Sequence, residues 1–272
     1  MNSPAIQIHS IHLRVSNLER SIEFYSNRLG FTVRTNNATS AALDTPGVFK
    51  EREGFAAAPS STRLTLTEDR SAARAPTDAA GLFHAAVLLP AREALGRWLQ
   101  HAATRRVKFD GFSDHGVSEA IYLSDPDGNG LEFYADRPRE NWPRESGGLA
   151  MFTRPLAVAD VLAAASPSDA PALSGARWGH LHLRVSSLDR SEKFYREMLG
   201  LTLMQRFGDG ARFLAADGYH HHIGLNTWGG VREPQPQDAL GLVETIFVIR
   251  DAAGEKAARD PDNIALQITP AR

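Results

Sequence analysis

The sequence predicts an α+β protein built from four βαβββ-type modules, two in each of two tandem halves. Three observations predict it. Residues 11–32, IHLRVSNLERSIEFYSNRLGFT, align without gaps with residues 181–202, LHLRVSSLDRSEKFYREMLGLT, at an offset of 170 (11 to 181). Each copy opens on an alternating strand, continues as an amphipathic helix and returns as strands. Each half then starts again, at GLFHAAVLLP (81–90) and at GLVETIFVIR (241–250).

In the first copy Ile11, Leu13 and Val15 share one strand face, and His12 and Arg14 the other. The helix starts at Ser16/Asn17, with Ser186/Ser187 as the equivalent caps in the second half. Leu18, Ile22, Tyr25 and Leu29 form one helical stripe, repeated by Leu188, Tyr195 and Leu199. Gly30 and Gly200 follow the last helical residues, where a left-handed backbone ends a helix. Strands are expected over 31–35, 41–43 and 62–67, and over 201–206, 211–216 and 221–228. The second module reads as a strand (81–90), a helix (91–103) and a hairpin (119–136) turning at DPDGNG. The fourth repeats this more weakly, ending on DPDNIALQIT (260–269), with its helix shortened to about ten residues. The segment 141–174 has Pro and Ser at both ends and reads as a connection, with a short helix around 156–165. The halves are therefore 1–140 and 175–272.

Composition narrows the function. A net charge of −2 gives no basic field to hold nucleic acid or an anionic membrane. No apolar run approaches the roughly 20 residues of a membrane helix. The start, MNSPAIQIHS, lacks the basic and apolar parts of a signal peptide, so a cytoplasmic location is expected. With no cysteine, disulfides and thiolate metal sites are excluded, and any metal must sit on His, Asp, Glu, Asn or Gln.

HLRVSNLERSIEFYSNRLG and DPDGNGLEFY resemble the vicinal oxygen chelate superfamily, which includes glyoxalase I, extradiol dioxygenases and bleomycin- or fosfomycin-resistance proteins. The resemblance covers nearly the whole chain outside 141–174. It implies paired modules curling into cup-like half-barrels, with a metal on the concave side. It also implies that ligands come from the first strand of one module and the first and last strands of its partner. Modules one and four then offer Ser10, Glu244 and Gln267, a poor metal set. Modules two and three offer His84, Glu132 and His180, the two imidazoles and one carboxylate of non-haem Fe(II) oxygenases; Mn(II) would use the same donors. His180 differs from its counterpart Ser10, whereas His12 and His182 recur in both copies, which assigns them to structure. The set is complete only if modules two and three share a cup, within one chain or between subunits; a homo-oligomer is expected.

Within the superfamily, glyoxalase I carries a further carboxylate ligand on the strand that here reads HHIGLN, where no acid lies. Extradiol enzymes have a histidine there, in a pattern resembling His-Asp-x-Ala-Leu/Phe, which HHIGL (221–225) matches with His221. DHGVSEAIYLSDPDGNGLEFY is similar to the extradiol signature, with His115 and Tyr122 at its histidine and tyrosine and Glu132 at its ligand. The module order is reversed from that of most extradiol enzymes, and a smaller catechol 2,3-dioxygenase subgroup is more similar. The resemblance implies a catechol and O2 as substrates and a hydroxymuconic-semialdehyde-type product. His221 would carry the proton, and His115 and Tyr122 would orient oxygens by hydrogen bonds. The alternatives are a glyoxalase-like lyase or isomerase on the same ligands, or a non-catalytic small-molecule binding protein. One conflict stands in GYHHHIGLN (218–226). Strand alternation puts His220, His222 and Gly224 on one face and His221, Ile223 and Leu225 on the other, so the apolar set would turn His222 to the metal, while the motif picks His221. An irregular start after Gly218 would reconcile them; His221 is preferred and His222 is the second candidate.

Overall fold

The computed structural model describes residues 6–46, 62–250 and 252–271. Module one comprises β1 (Ile6–Val15), α1 (Leu18–Ile22) continuing as a π-helical stretch over Glu23–Arg28, β2 (Thr32–Asn36), β3 (Ser40–Asp44) and β4 (Arg63–Glu68). Module two comprises β5 (Gly81–Leu89), α2 (Arg92–Thr104), β6 (Gly111–Asp114), β7 (Ser118–Ser124) and β8 (Gly130–Asp136). The connection holds a two-residue hairpin, β9 (Arg144–Glu145) and β10 (Gly148–Leu149), then β11 (Arg154–Pro155) and α3 (Val158–Ala163). Module three comprises β12 (Arg177–Arg184), α4 (Leu188–Leu199), β13 (Thr202–Phe207), β14 (Ala211–Ala215) and β15 (Ile223–Asn226). Module four is abbreviated to β16 (Gly241–Ile249), β17 (Lys256–Arg259) and β18 (Ala265–Pro270). The helix expected between its first strands is absent among the described residues, and DPDN forms a turn before β18, as DPDGNG does before β8.

Two mixed sheets are assembled across the halves. One runs β17-β18-β16-β1-β4-β3-β2, from modules four and one; the other runs β11-β6-β7-β8-β5-β12-β15-β14-β13, from modules two and three with β11 of the connection at its edge. The pairing that unites His84, Glu132 and His180 thus occurs inside one chain. The joining pairs are antiparallel, β1 with β16 and β5 with β12, and each has two register shifts at equivalent places. One shift falls between Trp178 and His180, a bulge that re-aims the chain immediately before His180.

Period-2 alternation sorts the strands of the second sheet. Ala85, Val87 and Leu89 of β5, Leu131, Phe133 and Ala135 of β8, and Leu181 and Leu183 of β12 join the helix-side core. There Trp98 of α2 stacks on Phe133 at 3.7 Å between centroids and donates its indole N–H to the Leu29 carbonyl. His84, Ala86 and Leu88, Glu132, Tyr134 and Asp136, and His180 and His182 occupy the alternate positions, which face the cup.

The repeated HLRVS and FY motifs tie the two sheets together. Ser16 donates its backbone N–H and hydroxyl to Asp127, at 3.0 and 2.6 Å, and Tyr25 donates to Asp125 at 3.0 Å. Ser186 makes the same two bonds to Asp262, and Tyr195 donates to Asp260 at 3.1 Å. Each DPD turn therefore locks onto the strand end and helix of the preceding module.

Candidate metal centre and cavity

Three adjacent strands, β12, β5 and β8, build the centre. His180 lies opposite Ala86 in the antiparallel pair, and Ala86 lies opposite Glu132 in the parallel pair. His180 and Glu132 thus stand two strand spacings apart, about 10 Å between backbones. Ala86 is fully buried and carries only a methyl group, so both flanking side chains lean over it. His84 reaches the same point from two residues back along β5. His84 Nε2 and Glu132 Oε2 are 3.0 Å apart, His180 Nε2 and Glu132 Oε2 3.1 Å, and the two Nε2 atoms 3.3 Å. All three residues are buried.

These spacings fit one shared ion. Donors about 2.1 Å from a metal and at right angles to one another lie about 3.0 Å apart. The protonation states fit as well. Burial pushes His180 down to about 4, so it is neutral at neutral pH with a lone pair to offer. Burial pushes Glu132 up, but the two imidazoles outweigh it and hold the carboxyl well below its ordinary range. Two imidazoles and one carboxylate favour a divalent ion that accepts nitrogen and oxygen.

The centre forms the floor of a cavity of about 300 Å³ lined by Phe83, Phe213, Trp228, Met151 and Phe152 among others. His84 and Glu132 line it together with His115, Tyr122, His182 and His221. Tyr122 lies directly opposite Glu132 across the β7–β8 hairpin. Its hydroxyl is 2.7 Å from His115 Nε2, and His115 Nδ1 donates to the Phe152 carbonyl at 2.9 Å. The tautomer of His115 with its one proton on Nδ1 accepts the Tyr122 O–H at Nε2. Burial first, then the Glu132 charge, pushes the Tyr122 phenol well above its ordinary value and keeps it protonated.

The trio 220–222 does not lie on a strand: β15 begins at Ile223, and 216–222 is irregular, with Asp217 and Gly218 both left-handed at φ 53° and 64°. The alternation argument for His222 fails for this reason. His221 lines the cavity, its ring 4.0 Å from that of His180. His222 turns the other way and closes the turn, its Nδ1 accepting the Ala216 N–H at 3.3 Å. His182 also departs from its assignment to structure. Its counterpart His12 bonds Thr67 Oγ1 at 2.8 Å, whereas His182 Nε2 is buried with no hydrogen-bond partner among the described residues and the ring lines the cavity. The ring rests on Gly224, where a Cβ would come within 2.9 Å of it.

Sequence reasoning missed two contributors. The connection, read only as a linker, supplies Met151, Phe152 and Thr153 to the cavity wall. The apolar run LAMF (149–152) inside a Pro- and Ser-rich stretch was its signal. Asp136, at the end of β8, bonds His220 at 2.9 Å. Its signal was the spacing Glu132, Tyr134, Asp136 on one strand face.

A family model described as the glyoxalase/bleomycin resistance protein/dioxygenase superfamily matches residues 7–133 and 177–252. The chain is 40% identical over 235 residues to a Bacillus subtilis (strain 168) protein named catechol-2,3-dioxygenase, covering 85% of this chain and 78% of that one. Among solved structures, glyoxalase I from Zea mays superposes with a TM-score of 0.57 at 16% identity, covering 98% of this chain and 92% of that one. The cppA protein from Streptococcus pneumoniae TIGR4 superposes with a TM-score of 0.56 at 11% identity, covering 97% and 98%. These two likenesses are of fold alone.

Proposed function

Since the chain belongs to the glyoxalase/bleomycin resistance protein/dioxygenase superfamily, we propose that it is an extradiol dioxygenase that opens a catechol ring with O2 at an Fe(II) held by His84, Glu132 and His180. The observation that carries this reading is the convergence of those three donors, within 3.0–3.3 Å of one another, on the floor of an aromatic-walled cavity that also holds His221, His115 and Tyr122. The 40% identity to a catechol-2,3-dioxygenase supports it. Among the described residues, no Lys or Arg lines the cavity, which suits an uncharged ring.

Bound Fe(II) would supply chelation of the two vicinal oxygens and a route for electrons from the ring to O2. The protein does the rest. His221 takes the proton of the bound phenol and returns it as the ring opens. Burial above all, with the neighbouring imidazoles, pushes His221 well below its ordinary value, so it starts neutral and able to accept. Tyr122, its O–H given to His115, offers its oxygen lone pairs to a substrate hydroxyl. Phe83, Phe213 and Trp228 fix the plane of the ring and exclude water. The only acid lining the cavity, among the described residues, is Glu132. The second carboxylate of a glyoxalase-type metal set has no equivalent there. The test is aerobic assay with catechol after anaerobic Fe(II) loading. A yellow ring-fission product is expected from the wild type and not from His180→Ala or Glu132→Ala. A wild type that binds iron and gives no product overturns the proposal.

A further inference from the structure

Three adjacent histidines meet different surroundings, and the middle one has its ring nitrogens treated unequally. His221 Nδ1 lies 2.8 Å from His220 Nδ1. His220 Nε2 lies 2.9 Å from Asp136 Oδ1. No protein group bonds His221 Nε2 among the described residues. The carboxylate fixes the first bond of the chain. A carboxylate only accepts, so His220 must present Nε2–H to it. The tautomer of His220 with its one proton on Nε2 has its lone pair on Nδ1, and His221 then donates Nδ1–H across the 2.8 Å contact. That leaves His221 Nε2 bare.

We infer that Asp136 and His220 are positioning residues that hold His221 in its Nδ1–H tautomer, with Nε2 as the free base of the cavity. The pieces that hold this relay are visible. Tyr134 and Tyr219 share a hydrogen bond of 2.8 Å, and the Tyr219 hydroxyl also lies 3.0 Å from Asp136 Oδ2. A donor chain from Tyr134 through Tyr219 to Asp136 satisfies all three. The side chain of Asp136 is 25% exposed, so water solvates its charge while one oxygen points inward. The His220 ring, fully buried, is packed between Tyr219 at 4.0 Å and Trp142 at 5.4 Å. His222 holds the turn through Ala216. The three neighbours thus divide the work, with His220 orienting, His221 entering the cavity and His222 closing the loop.

What His221 does with its lone pair rests on the dioxygenase reading; which nitrogen carries the proton does not. The experiment separates them. Long-range ¹H–¹⁵N correlation on the metal-free, ¹⁵N-histidine-labelled full chain reads both tautomers, assigned with His220→Phe and His221→Asn. His220 as Nε2–H and His221 as Nδ1–H are expected; His221 as Nε2–H in the wild type overturns the inference. In the iron-loaded protein, His220→Phe keeps the packing against Tyr219 and Trp142 but removes the acceptor. Its kcat should fall about 100-fold with KM and iron content unchanged. His220→Asn, whose side-chain oxygen can accept from His221 Nδ1–H, should recover to within about tenfold of wild type. Unchanged kcat in His220→Phe, or equal loss in both variants, overturns the positioning role. If the wild type does not turn over catechol, the dioxygenase reading fails and the tautomer spectrum alone decides this one.

Discussion

Tyr122 has a hydroxyl shared between His115, Glu132 and the cavity. Under the proposed function it orients the substrate and does not carry the proton. Tyr122→Phe should therefore lower kcat with catechol by about tenfold, a loss of roughly 1–1.5 kcal/mol typical of one hydrogen bond, and leave iron content at wild-type level. Steady-state kinetics with metal analysis checks this. Much of the residue-level site was legible. The motifs point to His84, Glu132, His180, His115 and Tyr122; the structure brings the first three within 3.0–3.3 Å of one another, and His84, Glu132, His115 and Tyr122 line one cavity. Asp136 and His182 were not legible. Asp136 acts only through His220, a contact that joins residues 84 positions apart. His182 looked structural because it repeats His12, and what separates them is the surroundings: Gly224 beneath one ring, Thr67 bonded to the other.

Alternation is reliable only where backbone ladder bonds enforce it. It holds for Ala85–Leu89 of β5, for β8 and for β12 beyond its bulge at Trp178/His180, and it fails at 216–222, where two successive left-handed residues precede the histidines. The missing helix of module four has a related cause: its short weak stripe offered little apolar face to bury. The β12–β5–β8 arrangement makes a sharper demand. The small side chain of Ala86 is what lets His180 and Glu132 meet. Ala86→Val should fill that space and weaken metal binding by about 1–3 kcal/mol, with the far-ultraviolet circular dichroism of wild type. Metal titration of the two proteins distinguishes this from simple unfolding.

At the scale of the whole molecule, the two sheets are latched by matching turns, and the turn at Asp260 is sensitive to pH. Burial chiefly, with Asp262 nearby, pushes Asp260 up to about 6, against opposing hydrogen bonds from Ile264, Asp262 and Tyr195. The folded state therefore binds this proton more tightly than the unfolded chain, whose aspartates titrate near 3.9. Stability from this group is fully present at low pH and is lost as pH rises from about 4 through about 6. Relative to Asp260→Asn, the wild type should lose about 3 kcal/mol across that window and stay level above it. Urea unfolding of both proteins at pH 4, 5, 6 and 7.5 measures the difference.

His84 and Glu132 belong to the first half of the sequence and His180 to the second, 96 residues beyond His84. An ion gripped by all three is a clasp between jaws that lie in different halves of the repeat. At a hundred times its dissociation constant it should add about 2.7 kcal/mol to folding. That is a rise of about 5–10 °C in thermal midpoint, seen by calorimetry with Mn(II) or anaerobic Fe(II) and lost in Glu132→Ala. A ribosome must pass the second jaw before the clasp can close. Ion capture then reports that modules two and three are correctly crossed, and the first half made alone could not counterfeit it.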